Sequence, residues 1–329
     1  MAKSEKQKQK LLYILKFLYE ETDEEHGLTV NEIIGKLQRY DISAARRSVY
    51  DDIHTLQDFG FDIVMRKARN YEYFLASRLF ETAELKILID SIQSSRFITK
   101  RKSEAIIRKL EKLDSKPQSR KFSGQLYIYD RVKSMNESIF YSVDRLHNAI
   151  AKNSKISFRY FDYNIRKEKV YRKNGDKYTT NPLSLTFDNE NYYLICYNEK
   201  YEDFVHYRVD KMSDIEIIAE KRVMPEEKFN AADYVKPMFS MFDGEITQIK
   251  AVFHISYLNV IIDRFGDNVR LSETDDEECF EAVFKAAVSP TFLSWIISFG
   301  DGALILSPQW VAEEVKNLAL LSASMYEDE

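Results

Sequence analysis

The chain is poor in residues that break secondary structure. Its 329 residues include nine Gly and six Pro, well below the roughly 12% these two contribute on average. Collagen-like, linker-rich and low-complexity organisations are thereby excluded. Cysteine is scarcer still. Cys196 and Cys279 cannot hold a disulfide framework and lack metal-ligand spacing. The longest uncharged stretch, Ala286–Gly300, has 15 residues with three Ser and one Pro, short of the about 20 apolar residues a membrane-spanning helix needs. The start, Met1-Ala2-Lys3-Ser4-Glu5-Lys6, leads only to a short apolar patch, Leu11–Leu15, before Lys16. That is no secretory signal, so a cytoplasmic protein with no membrane partner is expected.

Catalytic groupings are missing as well. The five histidines, His26, His54, His147, His206 and His254, are scattered, with no paired-ligand spacing. Gly300-Asp301-Gly302 is a lone turn, and Asp275-Asp276-Glu277-Glu278 lacks the glycine of a calcium loop. No Ser-His-Asp order stands out. Neither an enzyme nor a cofactor or metal is expected.

What the chain does have is aromatic and aliphatic surface to bury: 21 Phe, 21 Tyr and two Trp, with 44% hydrophobic residues overall. The length predicts two or three domains. The net charge of −5 is unevenly spread: −1 over residues 1–75, +6 over 76–140, +2 over 141–222 and −12 over 223–329. An acidic module joined to mildly basic ones fits a nucleic-acid partner for the basic part; it fits a solvated acidic face equally well.

Residues 1–76 read as a winged helix-turn-helix. Leu11, Leu12, Leu15 and Leu18 mark a first helix from Lys6 to Tyr19. Thr29-Val30-Asn31-Glu32 is a capping box opening a second helix with Ile33, Ile34 and Leu37 on its apolar side. Ser43 is the expected N-cap of a third helix ending at Gly60, with Ala45, Val49, Ile53 and Leu56 on its core face. Arg47, Tyr50, Asp51 and His54 then face outward. An exposed helix face with Arg, Tyr and His suits a recognition helix, because Arg can bond two acceptors of a guanine edge. Ser43 and Arg46 join Arg47, Tyr50 and His54 as candidate DNA contacts. Ile63, Met65, Tyr71 and Tyr73 predict a hairpin whose tip holds Arg66, Lys67 and Arg69, candidates for gripping the DNA backbone. Lys3, Lys6, Lys8 and Lys10 are further phosphate candidates. Ordinary surface charge on a small helical domain is the competing reading.

Within the third helix, Arg47-Ser48-Val49-Tyr50-Asp51-Asp52-Ile53 resembles the Arg-Thr-Ile/Val-Tyr-Arg-Asp-Ile signature of bacterial WYL-domain regulators. Ser48 replaces Thr, and Asp51 replaces Arg. An acid on the reading face repels phosphate and can accept from cytosine N4, so no operator sequence is carried over.

Residues 77–150 read as a helical connector and dimerisation region. Helices are expected at Glu81–Phe97, around Ile106 to Leu113 with Lys116-Pro117 ending it, and at Tyr141–Ala151. From Lys155 the period changes to two: Ile156, Phe158 and Tyr160 alternate with Ser157, Arg159 and Phe161. Further strands are expected at Tyr192–Tyr197 and Phe204–Val209, with turns at Asn174-Gly175-Asp176 and Asp188–Asn191, as in a small barrel.

Asn181-Pro182-Leu183, Tyr192-Tyr193-Leu194-Ile195 and Tyr207-Arg208-Val209-Asp210-Lys211-Met212 together resemble the Pro-x-x-Leu, Trp-Tyr-Leu and Phe-Arg-Leu-Asp-Arg-Ile elements of the WYL domain. Tyr192 stands for Trp and Lys211 for the last Arg. Over residues 151–222 the resemblance implies an Sm/SH3-like β-barrel that binds a nucleic-acid or nucleotide effector. Tyr rings can stack on bases while Arg208 and Lys211 take phosphate oxygens. Strict alternation would put Arg208 and Lys211 on opposite faces unless the strand ends between them. Candidate ligand residues are Arg159, Tyr160, Arg172, Tyr193, Tyr207, Arg208 and Lys211, with Arg166 and Lys167 near the same groove.

Residues 223–329 give strands at Ile249–Ile255, Val269–Leu271, Cys279–Val288 and Ala303–Leu306, and helices at Leu258–Phe265, Thr291–Phe299 and Trp310–Tyr326. The βαββαβ order suggests a ferredoxin-like module. Ser294–Gly300 followed by Ser307-Pro308 resembles the WCX extension of the same family, with Trp295 expected in the core. The fold class expected is thus α+β multidomain. The function expected is a homodimeric, ligand-responsive transcriptional regulator that binds double-stranded DNA. Two alternatives stand: an accessory protein that binds single strands or nucleotides and modulates a partner enzyme, and a nucleotide-processing enzyme.

Overall fold

The computed structural model describes residues 2–122, 133, 138–225, 229–266 and 269–326, with the side chains of residues 2–5 and 7 left aside. The chain divides into two compact units, residues 1–137 and 138–329. Together they make a mixed α+β protein with several sheets, one of them curled into a half-barrel.

The first unit starts with α1 (Ala2–Glu21), β1 (Leu28–Thr29), α2 (Val30–Gln38), α3 (Arg46–Asp58) and the hairpin β2 (Ile63–Lys67) and β3 (Tyr71–Leu75). The strands form an antiparallel sheet of order β1-β3-β2. Ile14 and Leu18 from α1, Ile33 and Leu37 from α2, and Val49 and Ile53 from α3 meet in one core. Each such fully buried aliphatic side chain stabilises by about 1.5–3 kcal/mol. The expected capping box is present: the Glu32 N–H donates to the Thr29 hydroxyl, and Glu32 accepts from the Thr29 N–H at 2.7 Å.

The start of α3 differs from expectation. Ala45, not Ser43, is the residue before the helix, and it caps with no side-chain hydrogen bond. Ile42 is buried, which anchors the chain ahead of the helix and leaves Ser43 three residues short of its first turn. Ala45 is exposed for the same reason, because the helical period begins only after it. After α3 the chain reverses at Gly60, whose φ of +110° is a conformation L side chains rarely adopt.

Next come α4 (Thr82–Ser94), α5 (Lys100–Leu110) and the short α6 (Lys116–Ser119). Pro117 lies in the first turn of α6, where its missing N–H costs nothing, so it opens a helix rather than ending one. Buried Asp23 stitches this part of the unit. Its carboxylate accepts from the N–H groups of Glu25 and His26, both at 2.9 Å, and from the Ser115 hydroxyl at 2.6 Å. His26 Nδ1 lies 2.7 Å from the same carboxylate. Arg78 is buried beside Asp114, donates to the Thr22 carbonyl at 2.6 Å and lies over the Tyr19 ring.

The second unit opens with α7 (Ile139–Ala151), expected in the connector but packed on the strands that follow. These are β4 (Ser154–Tyr163), β5 (Lys169–Tyr171), β6 (Tyr178–Asp188), β7 (Asn191–Asn198), β8 (Asp203–Arg208) and β9 (Met212–Lys221). All neighbours are antiparallel, in the order β5-β4-β6-β7-β8, and β9 returns to pair with β4. The Arg222 N–H donates to the Asn153 carbonyl at 2.8 Å, so the chain leaves β9 beside the point where it entered β4. Strict alternation fails along β4. Its pairing with β9 shifts register twice, and both Tyr160 and Phe161 are buried, as bulges allow.

After α8 (Ala231–Val235) come β10 (Glu245–His254), α9 (Leu258–Phe265), β11 (Arg270–Glu273), β12 (Cys279–Val288), α10 (Pro290–Ile297), β13 (Ala303–Ser307) and α11 (Gln309–Ser324). The sheet order is β11-β12-β10-β13, all antiparallel. Trp295 packs against Phe239, Phe265 and Phe299 in the core beneath this sheet. At Gly244, a Cβ would lie 2.0 Å from the Val288 carbonyl oxygen, so only glycine fits. No helix among the described residues is long and apolar enough to cross a membrane.

Candidate functional site

Two surfaces hold the residues singled out from the sequence, one in each unit. In the first unit, Val49, Ile53 and Leu56 pin α3 to the core. The opposite face exposes Arg46, Arg47, Tyr50, Asp51 and His54. Arg46 reaches the Tyr50 hydroxyl at 3.4 Å, and His54 lies 3.7 Å from Asp58. Arg47 has no ion pair among the described residues and extends into solvent.

The hairpin cations divide. Lys67 and Arg69 are exposed. Arg66 is instead tied inward: it donates to the Glu24 carbonyl, to the Glu25 carbonyl at 2.9 Å and to the Glu72 carboxylate at 3.2 Å. It braces the loop before β1, and that spends the donors a phosphate would need. Lys10 is likewise unavailable. It is buried, pairs with Asp52 at 2.7 Å and donates to the Ser48 hydroxyl. The signature residues Ser48 and Asp52 thus fasten α3 to α1, while Asp51 faces out. Lys6 leans on Asp41, Lys8 is exposed, and the Lys3 side chain lies outside the described residues.

In the second unit, β8 ends at Arg208 and a 3-10 turn, Val209–Lys211, follows. This break in the strand lets Arg208 and Lys211 serve one cluster. Asp210 takes Arg208 in a fork, from Nε at 3.0 Å and from a terminal nitrogen at 2.8 Å. Asn191 accepts a third bond at 2.8 Å. The Arg208 N–H donates to the Tyr160 hydroxyl at 3.2 Å, and Arg172 lies 5.2 Å from the Tyr160 ring centroid. Asp162 accepts from Lys211 and from Arg172, each at 2.6 Å. Those two bonds, Lys211 first, hold the Asp162 carboxyl below the usual carboxylate range.

The structure therefore brings together Tyr160, Arg172, Tyr207, Arg208 and Lys211. It leaves Arg159 paired to Asp214 at 3.5 Å, over the Tyr171 ring. Arg166 and Lys167 sit on the exposed turn between β4 and β5. The tyrosines are not open stacking platforms. Tyr160 and Tyr207 pack with Phe158 and Tyr178 in edge-to-face contacts, and burial raises both phenol pKa values. Tyr193, opposite Arg208 in register, is buried against Met238, Met241 and Ala287.

Three residues missed in the sequence complete the site: Asp162, Asp210 and Asn191. Asp210 lies inside the motif that carries Arg208 and was within reach of sequence reading, as an acid two residues past a strand-end Arg. Chemically, the cluster is a preset guanidinium whose counter-ion is internal. For a phosphate to take the Arg208 fork it would have to displace Asp210. No group of His, Cys, Asp or Glu that could hold a metal ion occurs among the described residues.

Residues 142–217 match the family model of the WYL domain, and residues 245–320 match that of the WCX domain. Among solved structures, the chain is similar to proteasome accessory factor B/C (PafBC) of Arthrobacter aurescens, at 15% identity and a TM-score of 0.29. That similarity covers 98% of this chain and 49% of the other, so the chain spans about half that protein's length. It is also similar to a CRISPR Cas-related protein, at 15% identity and a TM-score of 0.38, covering 74% of this chain and 71% of that one. No curated protein matches the chain.

Proposed function

This chain belongs to the WYL-domain regulator family, and from that premise we propose that it is a ligand-responsive transcriptional regulator that binds double-stranded DNA as a homodimer. The observation that carries the reading is the α3 face, where Arg46, Arg47, Tyr50 and His54 are exposed on a helix pinned by its other side. Three helices followed by a β-hairpin support a winged helix-turn-helix over residues 1–76, with α3 as the reading helix and Lys67 and Arg69 at the backbone. The order β11-β12-β10-β13 with intervening helices supports a ferredoxin-like module at the C-terminus.

In this reading the half-barrel takes a nucleic-acid or nucleotide effector at Arg172, Arg208 and Lys211. The effector acts by binding more tightly to one of two arrangements of the dimer. No catalytic step is part of the proposal.

The test is a selection of genomic duplex fragments on the purified protein, with Arg47→Ala run beside it at fixed salt. Enrichment of a palindromic site by the wild type, with a loss of about 1–3 kcal/mol in the variant, is the expected result. Equal affinity of both proteins for the selected site would sink the assignment of α3. Tight single-strand binding that depends on Arg208 alone, with no duplex selected, would favour an accessory nucleic-acid sensor instead.

A further inference from the structure

The C-terminal module is acidic, yet its cations converge. Residues 223–329 carry seven Lys and Arg against 19 Asp and Glu. Four of those cations, Lys236, Arg264, Arg270 and Lys285, line one cavity of about 520 Å³, in which Asp233 is the one acid among the described lining residues. Against seven cations and 19 acids in the module as a whole, the described lining of this cavity carries four cations and one acid. Asp233 is also engaged, accepting from Asn230 at 2.7 Å.

The cavity opens along an uncovered strand edge. β11 pairs with β12 only over Phe280–Val283. Further along, the Ala287 N–H donates to the Pro237 carbonyl at 2.8 Å. Antiparallel alternation aims the Lys285 N–H the same way as that of Ala287, outward from the sheet edge. Lys285 stands opposite Gln248 on β10, which also lines the cavity.

Three of the four cations form no ion pair among the described residues, and the fourth, Arg264, is held by a carbonyl and a ring and feels the Asp188 carboxylate. Lys250, on the same strand as Gln248, is neutralised by Glu281 at 2.7 Å. Lys236, Arg270 and Lys285 are exposed and form no ion pair among the described residues. Arg264 donates to the Met238 carbonyl at 2.6 Å and lies 4.2 Å from the Phe239 ring centroid. Burial of its head group lowers its pKa, and the Asp188 carboxylate offsets this only in part.

We propose that this cavity binds a phosphorylated small molecule of nucleotide size, with Lys236, Arg264, Arg270 and Lys285 taking its phosphate oxygens. The volume suits such a ligand. The site is separate from the Arg208 cluster and does not depend on the DNA-reading role of α3.

Calorimetric titration of the full chain with ATP and with tripolyphosphate tests it. Saturable one-to-one binding of both is expected. Lys285→Glu and Arg270→Glu should each weaken it at least about tenfold, and Lys285→Gln should weaken it less. Lys316→Glu, a charge reversal on α11 outside the cavity, should leave it unchanged. Circular dichroism of each variant confirms the fold. No saturable binding at millimolar ligand overturns the proposal, as does equal weakening in Lys316→Glu. Loss of ATP binding in Arg208→Ala with none in the cavity variants also overturns it. So does competition by oligothymidylate as effective as ATP, which would make the ligand a nucleic-acid backbone.

Discussion

At the scale of single residues, buried charge does most of the joining. Asp23 serves as a hub for four donors around one loop. Burial, the largest influence, pushes its carboxyl pKa up, but the Ser115 hydroxyl, His26 and two backbone N–H groups together bring it below the ordinary value. A lowered carboxyl contributes stability that is complete above the ordinary Asp pKa of about 3.9 and is lost as pH falls through the folded value. Asp23→Ala is therefore expected to cost about 2–3 kcal/mol at neutral pH, read by urea denaturation. The acid loss of stability should be shallower in that variant than in the wild type. At the second site, Asp210 occupies both prongs of Arg208. Asp210→Asn should tighten the binding of an oligonucleotide several-fold at low salt, measured by fluorescence anisotropy. Weaker binding would mean that Asp210 orients Arg208 rather than competing for it.

At the scale of elements, the start of α2 was the most legible. Thr29 and Glu32 were recognisable as a capping box from four letters, because the chemistry that starts a helix is local. Thr29→Ala should lower stability by about 1 kcal/mol, with Thr29→Ser restoring most of it in the same melting series. The start of α3 was not legible, since Ile42 fixes it through burial in a core built from three helices. Helix α9 and strand β12 match their expected bounds, Leu258–Phe265 and Cys279–Val288. By contrast, β4 hid its two register shifts, and β9 was not anticipated at all. Its role is to close on β4, a long-range pairing that short-range alternation does not encode. The Arg208 site was half readable for the same reason. The cations stand in motifs, but Asp162 reaches Lys211 across 49 positions of sequence.

At the scale of the whole molecule, charge is sorted by module. The exposed cations of the α3 face and the β2–β3 tip sit in a segment, residues 1–75, with a net charge of −1, while the excess acid lies beyond residue 222. Lys67→Ala and Arg69→Ala should weaken duplex binding about equally for all sequences and reduce the salt dependence by about one counterion each. Arg47→Ala should instead flatten discrimination between sites. A salt slope unchanged in both hairpin variants would remove the hairpin from the DNA contact. Deleting the acidic run Asp275–Glu278 should leave that slope as it is, because these residues form the turn between β11 and β12.

The bond from Arg222 to the Asn153 carbonyl gives the half-barrel a property that outlasts any one ligand. The segment between them starts and finishes at neighbouring points, as in domains that tolerate insertion and permutation. It is a cassette. Another small module with adjoining termini can replace it without lengthening or shortening the chain on either side, provided the newcomer keeps a seat for α7 and for Met238 and Met241.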